Sequence, residues 1–328
     1  MPVPTDMVGD QIGPIQHEVD ARWIMAYAAS LGDTQDCYFD TRRDNGIVAH
    51  PMFAVCPEWP VIVQGRDLAD KWGITPEETR QSVHATHDLT IHRLVKPGDV
   101  LETKLTYTGV ENKSPGAYTT MKIETCDADG NPVFTTHQGG MYLGVPAEGD
   151  NRPAQDDPVV PELGPLPENP IAEVLVPAAH GAAPTYTESA RIWNPIHTDA
   201  SVAADAGLPA IILHGTATLA LGVSATISTV ADGNPERVRR IRGRMASMVL
   251  MPSTVTVRVL DLTPVDGQDV ARFEVLTEDG GPAINQGLIF LDKDCTGVSC
   301  PRAARTAPRC APRRGPLRIL RSFPAHHS

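Results

Sequence analysis

The 328-residue sequence has no unbroken apolar run of about 18 or more residues, so no membrane-spanning helix is expected. Met1 to Pro14 contains acids and prolines but no apolar h-region, so no secretory signal is expected there. Basic side chains are in deficit: 28 Lys and Arg stand against 40 Asp and Glu, a formal net charge of −12. Without a dominant basic surface, general nucleic-acid binding is excluded. The six cysteines show no metal-ligand spacing, and neither a metal nor a cofactor is expected. Cys37, Cys56 and Cys126 are scattered, and read as reduced thiols of a cytoplasmic protein.

What is present suits a globular chain. Hydrophobic residues make up 41% of it, and the length accommodates two ordinary domains or one duplicated fold. From Cys295 onward the composition changes. Arg302, Arg305, Arg309, Arg313, Arg314, Arg318 and Arg321 occur there with no acid among them, so this tail carries +7 and the body −19. Residues 295–328 read as a disordered extension rather than a basic arm, because the segment cannot bury enough apolar surface to order itself.

Residues 146–170 are rich in Pro, Asp and Glu without a periodic apolar face, which predicts an exposed linker between residues 1–145 and 171–294. The same order of features recurs on either side. Val19 to Leu31 has helical spacing and ends at Gly32-Asp33; later, Tyr186 to Ile192 leads into Asn194-Pro195. Next come His50-Pro51 and His214-Gly215, whose histidines are 164 positions apart. Strand patterns around Pro97 and Pro252 follow, 155 apart. Strands are then predicted at Val100 to Val110, Ala117 to Cys126 and Pro132 to Leu143, and again at Thr254 to Leu262, Asp269 to Thr277 and Gly281 to Leu291. A helix preceding antiparallel strands, repeated once, predicts an α+β duplication.

The chemistry gathers in the second copy. Pro195 restricts Asn194 to extended backbone, which fixes how the loop presents His197. An imidazole titrates near neutrality and suits proton transfer, and the Asn194 amide can orient a water. Gly215 opens an apolar helix, where an N–H without an intrahelical partner and the helix dipole favour negative charge. The first copy has Pro51 at that step, with no N–H to offer.

The strings Asn194-Pro195-Ile196-His197 and Leu213-His214-Gly215-Thr216 resemble the hydratase motif of MaoC-like (R)-specific enoyl-CoA hydratases, and the element order over residues 10–292 resembles their double hotdog. The resemblance implies two curved antiparallel sheets, each wrapped around a long helix. It implies a hydro-lyase acting on an enoyl or 3-hydroxyacyl thioester of coenzyme A or acyl carrier protein, working alone or as a homodimer. His197 and Asn194 would be catalytic, and Gly215 would donate to the thioester oxygen. His214 would position the loop, and Thr216 and Arg191 would contact substrate. The first half, with Tyr38 in the His position, would be a degenerate copy that shapes an acyl tunnel.

One departure stands out: the family's catalytic Asp would fall at Ile192, while Asp33 keeps the matching place in the first half. Glu188 could reach the site only if the loop folds differently. A thioester hydrolase and a non-catalytic thioester-binding subunit therefore remain alternatives.

Overall fold

The computed structural model describes residues 2–67 and 69–293. Ten strands form one antiparallel sheet. Five belong to the first half: β1 (Gln11–Glu18), β2 (Ser82–Ile91), β3 (Val100–Lys113), β4 (Gly116–Asp127) and β5 (Pro132–Leu143). Five belong to the second: β6 (Ala172–Ala178), β7 (Val238–Met245), β8 (Ser253–Val265), β9 (Gln268–Leu276) and β10 (Pro282–Asp292). The order across the sheet is β1-β3-β4-β5-β2-β7-β10-β9-β8-β6. Each half thus has the same internal order, and the halves join edge to edge where β2 pairs with β7, Leu89 opposite Ile241. The repeat read from the sequence is a structural duplication, and its two half-sheets are continuous.

Four helices position the site: α1 (Ala21–Ser30), α2 (Val55–Asp67), α3 (Ala182–Ala190) and α4 (Gly215–Val230). Asp20 caps α1 by accepting from Trp23 N at 2.7 Å, as a short acidic side chain does at a helix start. α1 and α3 meet across the pseudo-twofold, where the Tyr27 and Tyr186 hydroxyls lie 3.3 Å apart and Trp23 Nε1 donates to Ser189 O at 2.9 Å. The long helices α2 and α4 are the two that the sheet wraps, which is the double hotdog architecture.

α4 lies directly on its sheet. Leu219, Val223 and Ile227 are buried in one core with Val255, Val257, Phe273 and Val275. Gly222 permits this approach, since a Cβ there would come within 2.6 Å of the Phe273 ring. α2 is different: Val55, Glu58, Trp59, Ile62 and Arg66 along its length border a cavity that α4 meets in its first turn.

Several strand readings hold, with β3, β4, β5, β8, β9 and β10 close to where the alternation places them. Leu94 to Asp99 is a loop rather than strand, because Pro97 has no N–H for a ladder and Gly98 turns the chain at φ 89°. The stretch before Pro252 likewise contributes only an isolated bridge, Ile212 to Leu250, before β8 begins.

The connection between the halves runs along the sheet under arginine clamps. Arg240 donates to Pro158 O and Val159 O, and Arg272 to Gly164 O and Pro165 O. Cys37 and Cys56 are free thiols, as read, but Cys126 is disulfide-bonded; separation along a chain does not tell which sulfurs meet in space. The basic tail lies outside the described residues.

Candidate active site

The loop after α3 is built by backbone geometry. Asn194 is extended at φ −128°, ψ 113°, as a residue before proline should be, and Pro195–His197 forms one 3-10 turn. Thr198 N and Asp199 N both bond Pro195 O, at 3.0 and 2.8 Å, closing the turn. Asp199 then caps the next short helix through Ser201 N and Val202 N. His197 is thereby turned inward and only 8% exposed.

Its ring is oriented from behind. His197 Nδ1 lies 2.8 Å from Ile212 O, and a carbonyl can only accept, so Nδ1 carries the proton. Nε2 is left with the lone pair. Burial lowers the His197 pKa to about 4 against the opposing pull of the Ile212 carbonyl, so the ring is neutral at physiological pH.

His214 stacks on His197, with ring centroids 3.6 Å apart and planes 24° apart. Its Nε2 lies 3.2 Å from the Thr187 hydroxyl, and burial, reinforced by His197, lowers its pKa to about 2. Two neutral stacked imidazoles avoid a like-charge clash. His214 is also the N-cap residue of α4, so the stacked ring immediately precedes Gly215, the first residue of the helix. Thr216 accepts from the Tyr186 hydroxyl at 3.1 Å, a contact that runs on through Tyr27 to Met52 O.

Asn194, His197, His214, Gly215 and Thr216 all line one cavity of about 800 Å³. Met245 to Leu250 form another of its walls. The first half supplies much of the rest, including Val55, Glu58, Trp59 and Ile62 of α2.

The structure does not bring Arg191 to this group. It ends α3 in the left-handed conformation at φ 58°, and its guanidinium sits 3.6 Å from the Trp23 ring centre. The equivalent residue 159 positions earlier is Gly32, at φ 69°, for which that conformation costs nothing. In Arg191 the strain, about 1–2 kcal/mol for an L-residue, is offset by the cation–π contact. Its expected substrate contact finds no support in this placement.

Ile192 lines the cavity with an apolar side chain and Glu188 is exposed, so neither provides the missing carboxylate. In the first half, the equivalent residues form a sealed polar cluster instead. Met52 N donates to His50 Nδ1 at 3.1 Å, and His50 Nε2 then donates to Ser224 Oγ of α4 at 3.0 Å. Ser224 bonds the Asp33 carboxyl, whose pKa burial nevertheless raises. This cluster ties α4 to the first half.

Sequence models agree with the architecture. Residues 170–279 match the MaoC like domain, and residues 6–136 match the FAS1-like dehydratase domain region. Residues 170–279 are a MaoC-like domain.

The chain is 22% identical over 296 residues to the probable enoyl-CoA hydratase 2 of Dictyostelium discoideum, spanning 87% of this chain and 95% of that one. It is 25% identical over 248 residues to the peroxisomal multifunctional enzyme type 2 of Drosophila melanogaster, spanning 73% of this chain and 41% of that enzyme. A MaoC-like dehydratase from Phytophthora capsici shares the fold with a TM-score of 0.73 and 19% identity, covering 88% of this chain and 99% of that one. Among the described residues, no helix is long and apolar enough to cross a membrane, and no group of three or more His, Cys, Asp or Glu could hold a metal ion.

Two residues of the site leave no local signature in the sequence. Tyr186 lies in a helical segment with nothing local to mark it, and its bond to Thr216 is visible only in three dimensions. Glu58 is the one acid in the apolar stretch 55–63, a pattern that usually means one solvated position; here it is 1% exposed.

Proposed function

We propose that the protein adds water reversibly to an enoyl thioester, most simply an enoyl-CoA, with His197 moving both protons. The observation that carries this reading is the bond from His197 Nδ1–H to Ile212 O, which leaves Nε2 as a base in the cavity. Nε2 takes a proton from water as the water oxygen bonds the β-carbon. Electrons of the carbon–carbon double bond shift toward the thioester oxygen, where the Gly215 N–H at the start of α4 stabilises the developing charge. The proton on Nε2 then passes to the α-carbon, and one water has been added. Asn194 can hold the incoming water. The names of the two curated relatives, one an enoyl-CoA hydratase, support this reaction.

Dispensing with the family carboxylate has a chemical consequence. An imidazole held at about 4 is a weak base, so turnover should be slow for a hydratase. Ile192 in the carboxylate's place is also the observation that favours a second reading, a subunit that binds thioesters without turning them over.

Mixing the protein with crotonyl-CoA separates these readings. Hydration predicts loss of the conjugated enoyl absorbance without free thiol. Thiol release would show hydrolysis, and saturable binding with unchanged absorbance would show the non-catalytic role.

A further inference from the structure

The two long helices meet their sheets differently. Counting with the offset that relates His50 to His214, Gly222 of α4 corresponds to Glu58 of α2. Gly222 lets α4 lie on the Phe273 ring. Glu58 instead reaches Thr136 of β5, whose hydroxyl donates to Oε1, and the space on this face of α2 is the first-half part of the cavity.

That region is polar where the second half is apolar. Glu58 is 1% exposed and Thr136 fully buried, yet Glu58 lines the cavity with Gln138, Thr119 and His84. His84 Nε2 is 3.1 Å from Thr86 O and so carries the proton, leaving Nδ1 as an acceptor. Behind it, 5.4 Å away ring to ring and opposite Gln138 in the β2–β5 register, His87 is buried with neither nitrogen partnered by the protein. The corresponding sheet face under α4 presents Val255, Val257, Phe273 and Val275. A tunnel for a plain alkyl chain has no use for a buried carboxyl and amide, since buried polar groups are ordinarily matched by hydrogen-bonding partners.

From this placement we infer that the acyl chain of the substrate carries a neutral oxygen substituent, a hydroxyl or a ketone, that Glu58 recognises together with Gln138 and His84. The inference rests on the thioester-site reading above. Glu58 is almost fully buried, and the phosphates of coenzyme A would be costly to bury there, so the group that arrives belongs to the acyl chain. Burial raises the Glu58 pKa to about 8 against the Thr136 hydrogen bond, so its carboxyl is protonated at neutral pH and both donates and accepts. That suits an uncharged oxygen better than an ammonium group.

Calorimetric binding of saturated acyl-CoAs tests this without requiring turnover. The probes are octanoyl-CoA and the positional isomers of its derivatives with one hydroxyl or keto group on the distal half of the chain. The wild type should bind at least one oxygenated isomer about tenfold more tightly than octanoyl-CoA, the scale of one added hydrogen bond. Glu58→Leu should erase or reverse that preference, and Glu58→Gln, with the same shape, should keep part of it. Octanoyl-CoA binding as tightly as every isomer would overturn the inference, as would Glu58→Leu changing all affinities by one common factor. Failure of crotonyl-CoA hydration alongside a selective tenfold preference would count against the hydratase reading only. A wild type that binds no acyl-CoA would overturn both.

Discussion

At position 215 the two copies perform a substitution experiment on each other. The first copy begins its helical segment with Pro51, behind His50; the second begins α4 with Gly215, behind His214. Proline is well tolerated at the first position of a helix but removes the N–H. Gly215→Pro should therefore leave the thermal transition within a few degrees of wild type while lowering kcat for enoyl-CoA hydration by roughly 10²–10³, the cost of losing one oxyanion donor. Circular dichroism and the absorbance assay check the two halves of that statement, and wild-type turnover in the variant would remove Gly215 from the mechanism. The motif around His197 was legible because its geometry is local: a proline, a tight turn and a helix start. The stacking of Arg191 on Trp23, 168 positions away, leaves no local trace in the sequence. Glu58 was passed over for the same reason, since its partner Thr136 lies on another element.

Among the elements, the seam between β2 and β7 holds the molecule together. Its strands hardly read as strands: Val-Arg-Arg-Ile-Arg-Gly-Arg-Met over 238–245 carries four arginines, and Ser82–Ile91 mixes histidines with an acid. The apolar alternation that revealed the outer hairpins is missing because these charges are satisfied across the seam. Arg240 bonds both oxygens of Asp88 at 2.7 Å, with side chains only 14% and 11% exposed, and Arg242 approaches the same carboxylate at 3.6 Å. Arg240 also holds the connecting segment through Pro158 O and Val159 O. Arg240→Ala should destabilise the fold by about 2–4 kcal/mol, as removal of one partner of a mostly buried pair does. Urea denaturation measures this, and a loss below ~0.5 kcal/mol would show that the seam does not depend on the pair.

For the molecule as a whole, buried titrating groups set the pH range of stability. Burial holds His17, His84 and His197 at about 4, His50 at about 3 and His214 at about 2. All are below the value of 6.5 for a free imidazole, so their contribution is complete above pH 6.5 and lost as pH falls toward 4 and below. Glu58 acts in the opposite sense: raised from 4.5 to about 8, its contribution is complete below pH 4.5 and lost as pH rises through 8. The thermal midpoint should fall on the acid side of pH 6.5 and decline more gently toward pH 8, and Glu58→Gln should remove the gentle decline. A midpoint rising on acidification from pH 6.5 to 5 would contradict these assignments.

Catalysis has its own window. With His197 unprotonated down to about pH 4, kcat/KM should stay level from pH 7 to 5 rather than halve near 6.5. The most direct test of the whole account compares crotonyl-CoA hydration by the wild type and His197→Ala under identical conditions. The wild type should turn over, and the variant should lose at least about 10²-fold, the lower range for removing a general acid–base group, with the fold unchanged by circular dichroism. Near-wild-type hydration by His197→Ala would contradict this.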